Sequence, residues 1–157
     1  MYNPGKLTRL VHESDVDAVM LSGRYTLLDQ SALDELLPAC MDRAVSVLAA
    51  SIFNSGLLAT ARPGPPRVPP STTRPPSREW WRAHRMADVC EAHSVTLPEL
   101  AMAFPLRHPA VSGIVVGMRT ADEVRRNVAA FGVEIPSQVW DDLRSEGLLD
   151  ERAPVPD

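Results

Sequence analysis

The chain has 157 residues, the length of one ordinary domain, and is 45% hydrophobic and 23% charged. This composition supports a buried core and excludes a chain that is disordered throughout. Sixteen basic residues against twenty acidic ones give a formal net charge of −4 without any basic block, so we expect no nucleic-acid partner. No apolar run reaches the roughly 18 residues of a membrane span, and no leader pattern follows Met1. We therefore expect no membrane partner and a cytoplasmic protein.

The residue types that carry chemistry are scarce. The chain has one lysine, Lys6, two tyrosines and four histidines, and no histidines lie at metal-ligand spacing. A mechanism that needs lysine and tyrosine together therefore has almost nothing to use. Cys40 and Cys90 lie in separate apolar-periodic stretches, which predicts buried free thiols rather than a disulfide or a metal site.

The first part of the chain predicts a strand, a helix and a second strand. Residues 16–21 form a short apolar segment typical of a buried strand. Residues 31–44 have apolar residues at a 3.6-residue period and open with Ser31 three residues before Asp34, the spacing of a capping box. This pattern predicts a helix. Residues 45–50 are the second strand, and a turn follows it.

A proline-rich segment then interrupts the pattern. Seven of the fifteen prolines fall between Pro63 and Pro76, and residues 62–77 have neither a helical nor a strand period. This composition predicts an extended, polyproline-like loop that is disordered.

The second part of the chain predicts four helices and one strand. Trp80 and Trp81 begin the first of these helices, where they either pack against helix faces or cover a ligand. Thr96 precedes the second helix with Glu99 at its third position, a capping arrangement. The helices are expected at residues 79–93, 97–106, 120–131 and 136–146, and the strand at 112–116.

Continuous apolar strands, each followed by helical sequence, predict an α/β fold with a parallel sheet covered by helices. Three such strands cannot close an eight-stranded (β/α) barrel, which takes about 250 residues. The sheet is therefore either a small open one or part of something larger.

The most specific local feature follows the third strand. Gly117 would let backbone approach a ligand closely, Thr120 opens a helix whose first N–H groups attract phosphate oxygens, and Arg119 would add a planar cation. These residues predict an anion site. The alternative is a ligand-free capping box formed by Thr120 and Glu123, with Gly117 as an ordinary turn glycine.

Four stretches of the sequence together resemble the C-terminal half of an aldo-keto reductase: GRYTLLDQSALDELLPAC, SIFNSGLLAT, LAMAFPLRHPAVSGIVVGMRTADEVRRNVAAF and VWDDLRSEGLL. The resemblance is greatest to the bacterial branch that includes L-fucose dehydrogenase and D-threo-aldose 1-dehydrogenase. It covers nearly all of residues 1–157 except about 62–82. It implies the C-terminal half of a (β/α)8 TIM barrel, with about three parallel strands and covering helices.

The resemblance also implies a nicotinamide dinucleotide, NADP or NAD, and hydride transfer to or from a sugar or related aldehyde or alcohol. It places the adenosine phosphate at Gly117, Met118, Arg119 and Thr120, and the adenine at Glu123 and Asn127. It places the pyrophosphate near Phe53, Asn54, Ser55 and Gly56. Ser22 falls where many members hold the nicotinamide carboxamide through a glutamine, although turn packing is the alternative for this serine.

Two features depart from the family pattern. Ala50 stands where many members stack an aromatic residue on the nicotinamide, and the strands that carry the family's catalytic Asp, Tyr, Lys and His have no counterpart in this sequence. We therefore predict no catalytic residue. The sequence indicates a truncated oxidoreductase that retains the cofactor-binding half. The alternative is a non-catalytic half-barrel that acts as a binding or assembly module and self-associates through open sheet edges.

Overall fold

A computed structural model describes residues 4–65 and 77–155, and in these ranges three strands form one parallel sheet. The strands are β1 (Ala18–Ser22), β2 (Ser46–Ala50) and β3 (Val111–Val115), in the order β1-β2-β3. Their register places Ser22 beside Ala50 and Ala50 beside Val115, so the carboxyl ends of all three strands meet at one edge. The predicted parallel α/β sheet is confirmed, with strand ends shifted by one or two residues.

Helices cover one face of this sheet. Two short 3-10 turns, Ser31–Leu33 and Pro105–Arg107, precede α2 and β3 respectively. The α-helices are α1 (Pro4–Glu13), α2 (Leu36–Asp42), α3 (Arg78–Ala92), α4 (Leu97–Ala103), α5 (Ala121–Phe131) and α6 (Ser137–Ser145). In the described ranges, no helix combines the length and the hydropathy that a membrane span requires.

The helix α1 was not predicted. Its first turn begins with proline and glycine, and proline is tolerated there because its missing N–H would have no partner. Leu7 and Val11, four residues apart, are both buried. Their burial against the core stabilises this helix despite its unfavourable first turn.

The predicted start of the helix at residues 31–44 was wrong. Ser31 forms no capping box with Asp34; its hydroxyl and its N–H donate instead to Asp29 Oδ1, at 2.6 and 3.0 Å. A 3-10 turn follows, closed by the Asp34 N–H donating to the Ser31 carbonyl at 3.3 Å, and the α-helix begins only at Leu36. The capping arrangement at Thr96 is confirmed, because its N–H donates to Glu99 Oε2 at 2.6 Å.

The hydrophobic core lies between the sheet and its helices. On the covered face of β1 and β2, Val19, Leu21 and Val47 are buried, whereas Met20 on the opposite face is 50% exposed. Trp140 is buried in the core. Cys40 and Cys90 are buried and free, as predicted.

The predicted loop at 62–77 is only partly covered by the described residues. Arg62 forms ion pairs with Asp88 and Glu91 of α3, both at 2.7 Å, and Ser77 caps α3 by accepting the Trp80 N–H. Residues 66–76, on which the prediction of disorder mainly depends, lie outside the described residues.

Candidate functional site

A cleft opens at the carboxyl edge of the sheet, between the segments that follow β2 and β3. Its volume is about 410 Å³, and it is lined by residues 50–56 and 115–117. The cleft brings together two groups that the sequence predicted separately: the turn Phe53, Asn54, Ser55 and Gly56 and the glycine Gly117. They meet because parallel strands end at the same edge of a sheet, where ligands bind in α/β folds.

The turn after β2 has an unusual backbone. Asn54, Ser55 and Gly56 are consecutive residues with positive φ, at 46°, 57° and 89°. The Gly56 N–H donates to the Phe53 carbonyl at 3.0 Å, which holds the turn closed. Asn54 Oδ1 is buried and has no hydrogen-bond partner in residues 4–65 and 77–155. A buried acceptor without a donor is costly, so a ligand or solvent donor at this atom would stabilise the turn.

Gly117 lines the opposite wall. A Cβ atom built on Gly117 would meet no atom within 4 Å. The packing of the chain itself therefore does not require glycine at this position. The open space beside its backbone is the kind of cradle that lets a phosphate or ribose approach closely.

The helix start beyond Gly117 is capped by side chains. The Glu123 N–H donates to Thr120 Oγ1 at 3.1 Å, and the Glu123 carboxylate accepts the Arg119 N–H at 2.7 Å and Arg119 Nη2 at 3.1 Å. The N–H of Arg119, followed by its guanidinium, lowers the pKa of Glu123. The capping alternative is thus present in altered form, because Glu123 receives its backbone bond from Arg119 rather than from Thr120.

The remaining predicted residues do not line the cleft. The Arg119 side chain is 89% exposed at the N-terminal end of α5. Glu123 and Asn127 are half-buried and lie four residues apart, on the same face of α5. Met118 is exposed. Ser22 Oγ lies 2.8 Å from Oγ of Ser51, which does line the cleft.

Several lining residues were missed. Ser51, Ile52, Val115 and Val116 all contact the cleft, and each lies at or just after the end of a strand. That position along the chain is the signal that could have identified them. Ala50 also lines the cleft and confirms that no aromatic side chain stands at the end of β2.

Of the two tyrosines, Tyr25 lies within the described ranges, and it does not line the cleft. It is fully buried, its hydroxyl has no partner among the described residues, and its ring meets the edge of His108 at 5.5 Å. Burial, followed by the charge of Asp150, raises its pKa. This tyrosine is therefore a core residue rather than a proton donor to the cleft. In the described ranges, no three His, Cys, Asp or Glu side chains are grouped to hold a metal ion.

Residues 2–146 match the family model described as "Aldo/keto reductase family". The chain belongs to the aldo/keto reductase family. It is 41% identical to pyridoxal 4-dehydrogenase of Microbacterium luteolum over 139 residues, which cover 88% of this chain and 40% of that protein. It is also 41% identical to D-threo-aldose 1-dehydrogenase of a Pseudomonas species over 143 residues, covering 91% and 43% of the two chains.

The solved structures agree on the fold. The holo form of an aldo-keto reductase from Bacillus halodurans matches with a TM-score of 0.70 and 19% identity, over all of this chain and 50% of that one. The three-stranded sheet is therefore part of an aldo-keto reductase TIM barrel, as the sequence predicted. This chain spans about two fifths of the length of the curated relatives that it matches. The family consists of oxidoreductases that generally use nicotinamide cofactors.

Proposed function

We propose that this chain holds a nicotinamide dinucleotide, NADP or NAD, at the carboxyl edge of its sheet. The observation that carries this proposal is the cleft itself, which joins the open cradle at Gly117 to the turn after β2. In that turn, Asn54 Oδ1 is a buried acceptor without a hydrogen-bond partner among the described residues, and a bound ligand could supply the missing donor. Family membership supports this class of cofactor.

The cofactor phosphates would lie where positive charge and open backbone coincide. Gly117 lets the backbone approach, and the N-terminal end of α5 carries a partial positive charge. The guanidinium of Arg119 offers a planar fork for a phosphate. Its ion pair with Glu123 is exposed, and exposed ion pairs contribute little, so Arg119 can turn toward a ligand at small cost.

The rest of the dinucleotide would follow the predicted positions. We assign the pyrophosphate to Phe53, Asn54, Ser55 and Gly56, and the adenine to the α5 face that carries Glu123 and Asn127. Ser22 would reach the nicotinamide carboxamide through the hydroxyl pair that it forms with Ser51.

The bound cofactor supplies or accepts a hydride, and the residues of this chain bind and orient it. The substrate in the complete family fold would be a sugar or a related aldehyde or alcohol. Among the described residues that line the cleft, the polar side chains are Ser51, Asn54 and Ser55, and none of these types is an efficient proton donor to such a substrate by itself. We therefore expect little or no turnover from these 157 residues alone.

Titration of the chain with NADPH and NADH, followed by cofactor fluorescence, tests the proposal. We expect saturable binding, and we expect Arg119→Gln to weaken NADPH binding about tenfold because a charge-assisted hydrogen bond is lost. Arg125→Gln is the matched control: this exposed arginine of α5 pairs with Asp122 and should leave the affinity unchanged. Equal affinity of the two variants, or no binding of either cofactor, would contradict the proposal.

A specific observation also favours the second candidate, an assembly module. Eleven large hydrophobic residues are exposed in the described ranges, and six of them follow one another from the end of β3 to just past α5: Val115, Met118, Val124, Val128, Phe131 and Val133. The helix α5 has no buried residue, and its apolar side chains Val128 and Phe131 are 66% and 58% exposed. An apolar surface of this kind is typical of a protein interface.

In this second candidate, the surface formed by β3 and α5 takes further βα units of a barrel. A second copy of the chain offers such units, so this candidate predicts self-association through the surface formed by β3 and α5. Light scattering after size-exclusion chromatography tests the surface. We expect wild-type chains to associate and Val128→Glu to reduce the association; a wild type that stays monomeric at all concentrations would contradict this candidate.

A further inference from the structure

A second cavity, of about 470 Å³, lies beside the first turns of α3. Its walls include Arg78, Trp81, Arg82 and Arg85 of α3 and the segment 147–150 that follows α6. It shares no lining residue with the cleft between β2 and β3. Its volume is within the range of small-molecule sites.

Arg82 is held in a fixed position at this cavity. Its Nη1 donates to the Leu28 carbonyl at 2.9 Å, and its Nη2 donates to the Leu148 carbonyl at 2.7 Å. These bonds join the segment after β1 to the segment after α6. They use two of the five N–H donors of the guanidinium, so donors remain for a ligand.

The positive charge of the cavity is only partly balanced. Arg85 forms an ion pair with Glu146 at 3.0 Å, and the carboxylate of Asp150 forms one with Arg152 at 2.7 Å. Arg78 lies one helical turn before Arg82 and its side chain forms no ion pair within residues 4–65 and 77–155, although the charges of both arginines help to lower the pKa of the neighbouring Glu79. Burial of Arg82, followed by the like charge of Arg78, lowers the pKa of Arg82, and the charges of Glu79 and Asp29 offset part of this effect. An anion between the two guanidinium groups would relieve this repulsion.

An aromatic surface completes the cavity. The Trp81 side chain lines it and is 56% exposed, so the predicted packing of this tryptophan against a helix face was wrong and its ligand-covering alternative stays open. Leu148 and Leu149 add apolar walls. An exposed indole beside unbalanced guanidinium groups favours a ligand with a flat ring and a negative charge.

We propose that this cavity binds a phosphorylated aromatic small molecule, with its phosphate between Arg78 and Arg82 and its ring against Trp81. This site is separate from the proposed dinucleotide cleft. A dianionic phosphate matches two planar guanidinium forks better than a single carboxylate does, because it offers three oxygens to them.

Calorimetric titration of the 157-residue chain with phenyl phosphate tests the proposal. We expect one saturable site with a Kd of about 1 mM or tighter. Arg78→Gln should weaken it about tenfold, because the loss of a charge-assisted contact is of that size. Trp81→Leu should weaken phenyl phosphate severalfold but leave the affinity for inorganic phosphate unchanged. Arg78 and Trp81 are exposed, so both variants should fold, which circular dichroism checks.

Arg125→Gln changes the net charge equally on another helix and should bind phenyl phosphate like the wild type. Arg119→Gln, the variant that tests the dinucleotide cleft, should do the same, so the two proposals fail independently. The absence of saturable binding, or equal weakening by Arg78→Gln and Arg125→Gln, would overturn the proposal. So would a Trp81→Leu variant that binds phenyl phosphate as tightly as the wild type.

Discussion

The Ser22 and Ser51 hydroxyl groups lie 2.8 Å apart and bridge the carboxyl ends of β1 and β2. Ser51 makes this contact from a backbone φ of 57°, a region that L-residues other than glycine enter at a cost of about 1–2 kcal/mol. The strand end thus combines a strained backbone with a side-chain bond at the edge of the cleft. Strain of this kind is concentrated at functional sites.

The strain at Ser51 can be separated from its hydrogen bond by two substitutions. Both Ser51→Ala and Ser51→Gly lose the hydroxyl, but only glycine relieves the positive φ. We predict that Ser51→Gly is the more stable variant by about 1 kcal/mol in the free energy of unfolding, measured with urea. An alanine variant as stable as the glycine variant would show that the backbone at Ser51 is not strained.

Alanine substitutions of one buried and one exposed phenylalanine test the boundary of the hydrophobic core. Phe104 is fully buried and packs against Tyr25 at a ring-centroid distance of 5.1 Å, whereas Phe131 is largely exposed. We predict that Phe104→Ala lowers the free energy of unfolding by about 3–5 kcal/mol. Phe131→Ala, measured in dilute solution, should change it by about 0.5 kcal/mol or less. Similar losses for the two variants would contradict the described packing.

Asp150 makes a pH-dependent contribution to the stability of the folded chain. Hydrogen bonds from the Arg152 side chain and N–H lower its pKa from 3.8 to about 2. A lowered pKa in the folded state means that the contribution is present above about pH 4 and is lost as the pH falls through about 2.

The pH dependence is measured by comparing the wild type with Asp150→Asn. We expect the wild type to be more stable at pH 7 and the difference to shrink steadily between pH 4 and pH 2. Because both proteins share every other carboxyl group, the comparison isolates Asp150. A difference that is constant over this range would contradict the assigned hydrogen bonds.

The thiols report on the integrity of the fold. Burial, followed by the charges of Glu99 and Glu91, raises the pKa of Cys90 to about 12, and burial also raises the pKa of Cys40. We predict that neither thiol reacts with iodoacetamide at pH 8 in the native chain and that both react in urea, because only an exposed thiolate is a nucleophile. Mass spectrometry counts the alkyl groups, and labelling of the native chain would contradict the described core.

The sequence was most informative where burial and local pattern agree. The strands were predictable because each is a continuous apolar run, and α5 because Thr120 and Glu123 mark its start. The helix α1 was missed because two buried positions, Leu7 and Val11, outweigh the unfavourable residues of its first turn. Such tertiary stabilisation has no strong local signal.

The candidate site was likewise only partly predictable from the sequence. The turn after β2 and Gly117 could be placed at one edge because parallel strands share their direction. The hydroxyl pair of Ser22 and Ser51 could not be predicted, because it depends on the register between β1 and β2 and on the positive φ of Ser51. The start of α2 was misplaced for a related reason: Asp29 competes for the groups of Ser31 that a capping box would have used.

Amide chemical shifts of the isotopically labelled 17.2 kDa chain, recorded during titration with NADPH, test whether the cleft between β2 and β3 binds the dinucleotide. We predict saturable shifts of the Gly117 amide and of the amides of residues 51–56, with the amides around Trp81 serving as an internal reference for the separate cavity. Saturable shifts confined to other parts of the chain, or no shifts at any cofactor concentration, would contradict this prediction.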